Sequence, residues 1–412
     1  LRRLVIPILF ILIFPPEITA RTVIVGKDQP VQSVKQALTL IKPGDTIKVL
    51  HGLYREGSIS ITKPVTLIGI NFPVLDGESK YENLVISGRD ITVAGFIIKD
   101  SRHSSSNDFA AVSIIDATKI RIENNKIING NFGIHIANST FCSIRKNDIK
   151  GNAVSEQSAG NGIHIWKSDH ALVENNHIMN HRDGIYFEFV TDSDIKGNIS
   201  ESNIRYGLHF MFSHKDNYIN NIFRNNGTGV AVMYTHNVRM EGNTFQNNWG
   251  TASYGILLKD ITDSYMLNNR FIENTIGIFM EGGNRNEIKR NIFNSNGWAI
   301  KIQANCADND IQNNNFFSNT FDVATNGTMV LSDFSNNYWD KYEGYDINKD
   351  GIGDVPYHPV SMYSMVIEQN PSAVILLRSF MVTLLDKAEK AIPSITPENL
   401  VDNKPMMKPF KL

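Results

Sequence analysis

Asn221-Ile222-Phe223-Arg224-Asn225-Asn226-Gly227-Thr228-Gly229-Val230-Ala231-Val232-Met233 decides the fold, because its phrase returns as Asn243-Thr244-Phe245 and Gly255-Ile256-Leu257-Leu258. The phrase is Asn-x-aromatic or Asn-x-Ile, a few polar residues, then Gly and an apolar residue. Its Asn falls at 125, 147, 176, 198, 221, 243, 269, 291, 314 and 337, steps of 22 to 29 residues. Its Gly keeps step at 133, 162, 184, 207, 229, 255, 277 and 297. A repeat of this length, rich in Asn and Gly and without a leucine-rich consensus, is the mark of stacked coils of very short strands. The expected fold is all-β: a right-handed parallel β-helix of about 22–23-residue coils.

Alternation within the coils says which side chains point inward. The first position after each Gly reads Ile134, Ile163, Ile185, Leu208, Val230, Ile256, Ile278 and Trp298. The third reads Ile136, Ile165, Phe187, Phe210, Val232, Leu258, Met280 and Ile300. Both form apolar ladders inside the cylinder. The repeating Asn belongs in the turns, where it tolerates left-handed dihedrals and its amide serves neighbouring turns.

A net charge of −2 with 42% hydrophobic residues fits a soluble domain and leaves no basic excess for nucleic acid. Residues 1–20 differ: Arg2 and Arg3 precede an apolar run from Leu4 to Phe14, then Pro15, Pro16 and Ala20. That is the layout of an export signal, with cleavage after Ala20 and the periplasm as destination; an uncleaved anchor is the alternative. Cys142 and Cys306 lie seven coils apart, roughly 34 Å at about 4.8 Å per coil, too far to bridge. Val31 to Leu40 has helical spacing and is expected to cap the open end of a cylinder spanning 21–340. Ser101–Asp108 and Ala153–Gly160 are polar insertions that lengthen single coils.

The outward positions of the same strands carry the chemistry. The second position after Gly reads His135, His164, Tyr186, His209, Ala231, Leu257, Phe279 and Ala299. The fourth reads Ala137, Trp166, Glu188, Met211, Met233, Lys259, Glu281 and Lys301, and the seventh supplies His214 and His236. Outward Met beside His suits Cu(I), which soft ligands select. The candidate copper ligands are His209, Met211, His214, Met233 and His236. A plain contact face for another protein is the competing account. His177 and His181 follow a turn Asn and read as solvated.

A second constellation, in an Asp-rich segment at 341–361, is Asp346, Asn348, Asp350, Ile352 (through its carbonyl) and Asp354, with Gly351 at the sixth place of an EF-hand-like loop. Tyr357 stands where the bidentate Glu belongs, so either calcium clamps the loop or it is an Asx-rich turn without metal. Glycosidic chemistry needs carboxylates converging on one face. Asp183, Glu188 and Glu281 are scattered over coils, so a polyuronide lyase or epimerase is an alternative without its acids. A metal-free scaffold adaptor is a third.

After the repeats come Asn336-Asn337-Tyr338-Trp339-Asp340, then Tyr345-Asp-Ile-Asn-Lys-Asp-Gly-Ile-Gly-Asp-Val-Pro-Tyr357 and His358-Pro359-Val360-Ser361. An apolar segment from Pro371 through Leu385 follows. This combination resembles the NosD family of periplasmic β-helix accessory proteins in nitrous oxide reductase maturation. The resemblance implies a non-catalytic role beside an ABC-type transporter and a copper chaperone. It also implies transient Cu(I) handling for the reductase's copper-sulfide cluster. The region 362–412 is expected to hold a helix over Pro371–Ala391, capping the last coil or docking on the transporter's membrane subunit, and an extended docking tail from Thr396 with Met406 and Met407.

Overall fold

The computed structural model describes residues 20–104, 106–327, 329–377, 379–391 and 400–411. The export signal expected at 1–20 therefore lies, save Ala20, outside the described residues, as does 392–399 of the tail. The chain winds as a right-handed parallel β-solenoid of about 14 turns, about 23 residues each. Each full turn lays down three short strands. One face is a 13-stranded sheet running from Leu53–Tyr54 to Tyr338–Trp339. The other two faces merge into a 24-stranded sheet because the long strands Leu84–Ala94 and Ala110–Glu123 run round the corner between them.

Identical side chains stack from turn to turn, since parallel pairing in register puts each residue over its counterpart. Phe223, Phe245, Phe271, Phe293, Phe316 and Trp339 form one internal column, with neighbouring centroids 4.0–5.6 Å apart. Each such contact adds about 0.5–1.5 kcal/mol beyond burial of its area. Cys142 and Cys306 are free and buried, and burial pushes the Cys142 thiol up to about 11.

The repeating Asn residues are fully interior. Asn221 Oδ1 accepts from the backbone N–H of Asn198 at 2.9 Å and from its Nδ2 at 3.0 Å, while Asn221 Nδ2 donates to Ile195 O and Asn243 Oδ1. The same pattern links Asn125 through Asn337. The left-handed dihedral, expected at the Asn itself, sits one residue earlier, at Asn124, Lys146, Asn175, Gly197, Asn220, Gly242, Asn268, Arg290, Asn313 and Asn336. The ladder Asn thus supplies hydrogen bonds, and its neighbour turns the chain. A second ladder of Asn203, Asn226, Asn248, Asn274, Asn296 and Asn319 lines another corner. His181 takes the place of Asn at the start of this ladder, its N–H donating to Asn203 Oδ1; it is buried rather than solvated.

One register expectation fails. Ile278 pairs with Ile300 and Phe279 with Lys301, so the slot of Gly277 is filled in the next coil by Ala299, not Gly297. Ile300 and Ile302 are then the inward pair, and Lys301 belongs to the second outward position. Ala299 puts a methyl in the slot where an added Cβ at Gly133 or Gly229 would meet a carbonyl within 2.5 Å.

Both ends are covered. Helix α1 (Val34–Leu40), N-capped by Ser33, buries Val34 and Ala37 against the first turns. At the other end α2 (Met362–Gln369) sets Tyr363 and Ile367 on Phe321, with Glu368 paired to Lys301 at 2.5 Å. The segment expected as one helix over Pro371–Ala391 is a 3₁₀ turn, Pro371–Leu376, and then α3 (Phe380–Ala391). It reaches the cylinder mainly through α2, and Ile375, Phe380, Met381 and Leu384 stay exposed. Residues 400–411 are not the free docking strand expected: they lie along the final coil, with Asp402 bridged to Phe334 and Tyr357 and Met406 to Tyr338 and Ile352. Asp402 is fully buried and accepts from Asn337 N–H at 3.1 Å, Trp339 Nε1 at 2.9 Å and Lys404 N–H at 2.9 Å. No helix among the described residues is long and apolar enough to cross a membrane.

Candidate metal-binding face

The strands Phe132–Ala137, Ile163–Trp166, Asp183–Glu188, Tyr206–Met211 and Thr228–His236 stack in register on one face. Their second positions put His135, His164, Tyr186 and His209 in a column, neighbouring ring centroids 5.1, 4.8 and 4.7 Å apart. Phe132 and Tyr206 flank it. Although they point away from the cylinder, His164 and His209 are 8% and 7% exposed. Neither ring nitrogen of either one has a hydrogen-bond partner. Burial drives the His164 imidazole down to about 3, helped by His135 and Arg182, and lowers His135 too. The His164 ring is therefore neutral at pH 7, the state in which imidazole binds metal.

Asp183, wholly buried, lies at the foot of this column. Burial alone would raise its carboxyl, but the Arg205 guanidinium, bonded at 2.8 and 2.5 Å, brings it below the ordinary range. His209 Nδ1 stands 3.7 Å from the same carboxylate, beyond hydrogen-bond length. At the other end the carboxylate of Asp108, on the first polar insertion, comes within 4.8 Å of donor nitrogens of both His135 and His164. The insertion is steadied by Arg102 lying 4.4 Å over the Phe109 ring. The sequence marked the three His as a row. It gave Asp108 no role, because a loop's length does not say where its last side chain lands.

The five expected copper ligands fall into three places. Met211 and Met233 are register partners on the fourth-position row, both half-buried, and Tyr186 Oη donates to Met211 Sδ at 3.8 Å. His209 belongs to the imidazole column. His214 and His236 lie past a corner made by Phe189, Phe212 and Tyr234, whose rings stack at 5.2 and 5.0 Å with left-handed backbone. Their own rings stack at 4.0 Å, and His236 N–H donates to His214 Nδ1. Two like pairs therefore frame an aromatic edge.

The Asp-rich loop is folded on itself. Asp346 accepts from the N–H of Asp350 and Gly351, Asn348 from Asp350, Asp350 from Ile352, and Asp354 from Ile347. Met407 N–H closes on Gly351 O. Tyr357, at the twelfth place, faces Asp322 instead of the loop. The carboxylates weighed for sugar chemistry do not converge: Asp183 is held by Arg205 and Glu281 pairs with Lys259.

A sequence model of the family described as "Periplasmic copper-binding protein (NosD)" matches residues 146–351, and one of a family of unknown function, DUF1565, matches 56–204. The "Probable ABC transporter binding protein NosD" of Stutzerimonas stutzeri is 30% identical over 374 residues, 86% of this chain and 85% of that one. The protein of the same description from Pseudomonas aeruginosa is 30% identical over 371 residues, 85% and 86% of the two chains. Among solved structures, the catalytic unit of a GH87 α-1,3-glucanase from Streptomyces thermodiastaticus superposes with a TM-score of 0.60. At 12% identity over 74% of this chain and 65% of that one, it shares the fold alone. With relatives of that identity spanning most of its length, the chain belongs to the NosD family of periplasmic copper-binding proteins.

Proposed function

We propose that this protein is an exported, non-catalytic carrier that takes up Cu(I) transiently on its outer face and docks on an ABC-type transporter. The copper would come from a copper chaperone and serve the copper-sulfide cluster of nitrous oxide reductase. The observation that carries this reading is the in-register pairing of Met211 with Met233, thioethers outside the cylinder where burial in its core does not account for them, with the stacked His214 and His236 across the aromatic corner. Thioether and imidazole favour Cu(I) over harder cations. His209, two residues from Met211, would be the inner ligand onto which the ion passes. The apolar residues Ile375, Phe380, Met381 and Leu384 offer a contact for the transporter's membrane subunit, and exposed patches of this kind mark partner sites. Calcium at Asp346, Asn348, Asp350, Ile352 and Asp354 would clamp the loop that packs on the final coil.

An anaerobic Cu(I) competition titration tests this. The parent should hold one ion tightly, and Met211→Leu with Met233→Leu, which keep volume and remove sulfur, should weaken it at least tenfold. Binding unchanged in that variant would remove copper from this face and favour a metal-free adaptor.

A further inference from the structure

Beyond the Cu(I) carrier reading, and independent of it, the imidazole column ends in a group of different chemistry. Asp108, His135 and His164 bring one carboxylate oxygen and two imidazole nitrogens within 4.8 Å of one another, and contain no sulfur. Ligands at about 2.0–2.2 Å around a tetrahedral ion stand roughly 3.3–3.5 Å apart, so closure needs a shift of little more than 1 Å. Asp108, exposed and in an irregular segment, and the half-buried His135 ring can supply it by small rotations toward His164. His164 is the independent sign of a ligand: a buried ring with both nitrogens unpartnered carries a desolvation cost that folding alone does not offset. The apolar rings of Phe132 and Tyr186 on either side cannot relieve it.

We infer that Asp108, His135 and His164 form a divalent-cation site, selective for zinc-like borderline ions such as Zn(II) or Cu(II), separate from the thioether pair. Two His and one carboxylate with an open fourth position is a donor set of borderline hardness, where Cu(I) would prefer the Met row. Arg182 near His164 opposes a cation, and Asp183 beside it works the other way.

The test is a Zn(II) competition titration of the full chain against a chromophoric chelator, repeated with Cu(II) and followed by electron paramagnetic resonance. One ion should bind, with the spectrum of two nitrogen donors for Cu(II). Asp108→Asn, on the surface and harmless to the core, should weaken Zn(II) about tenfold, and His135→Gln about a hundredfold or more. Met211→Leu with Met233→Leu should leave Zn(II) untouched while lowering Cu(I), so the two sites fail separately. Absence of Zn(II) binding, equal affinity in Asp108→Asn, or loss in the double Met variant would each overturn the site.

Discussion

Two columns of buried polar side chains climb the same cylinder, and they are opposites. In the Asn ladder every amide is satisfied by the coil above and the coil below. In the outward column His164 and His209 are nearly as buried, yet their nitrogens find no partner. A satisfied buried network fixes a unique register, whereas an unsatisfied one costs stability and survives for another reason. The contrast separates residues that build the solenoid from residues that use it. Farther along the same outward rows the contrast relaxes into ordinary surface, with Lys259 paired to Glu281.

The largest effect expected is on the ladder. Asn221→Ala removes the partner of the Asn198 N–H and of the Ile195 carbonyl, at about 1–3 kcal/mol each, while Asn198 Nδ2 keeps Val173 O. A drop of about 2–6 kcal/mol in a denaturant melt is the outcome, and a loss under about 1 kcal/mol would dissolve the distinction between the columns. Cutting the end of the ladder is next. Asp402→Ala removes the acceptor for Asn337 and Trp339, costs about 2–4 kcal/mol, and should expose residues 400–411 to protease before the coils open.

His164→Phe should go the other way, keeping or raising stability by up to about 2 kcal/mol, because an aromatic ring between Phe132 and Tyr186 needs no partner. Marked destabilisation would mean that the column is structural after all.

Asp216 sharpens the rule. It sits where Ser264, Asn286 and Asn309 serve other coils, accepting from Ser193 N–H, and burial pushes its carboxyl up to about 9. Its folded value lies above the ordinary 3.8, so the folded state holds a proton that the unfolded state releases. Stability should therefore fall as pH rises between those values. Asp216→Asn should flatten that slope and raise the melting temperature by a few degrees at pH 8, with little change at pH 4. Smallest is Lys259→Ala: an exposed pair at 3.8 Å is worth about 0–0.5 kcal/mol, within the scatter of a melt.

The architecture was legible because period, alternation and Gly position are local and repeated, and the inward ladders up to Met280 follow from them. Ala299 escaped because the pattern of Gly was followed past the point where a methyl fits. Lys146 and Arg290 in left-handed backbone were unreadable, since neither residue type signals that conformation. The outward His row was visible from the same alternation. Its burial was not, and neither was the approach of Asp108, because both depend on how an insertion of free length folds over the face. The return of residues 400–411 to the final coil is contact at a separation of about 65 residues, and no short-range pattern encodes it.

That return has a consequence for how the chain folds. The last coil's sheet edge and the terminal rung of its Asn ladder are closed by Asp402, so the solenoid seals only once a segment some 65 residues further along the chain has come back to it. A chain stopped short would carry an open parallel edge, ready to recruit another copy and grow end to end. Completion of the ladder and protection from polymerisation thereby rest on one carboxylate.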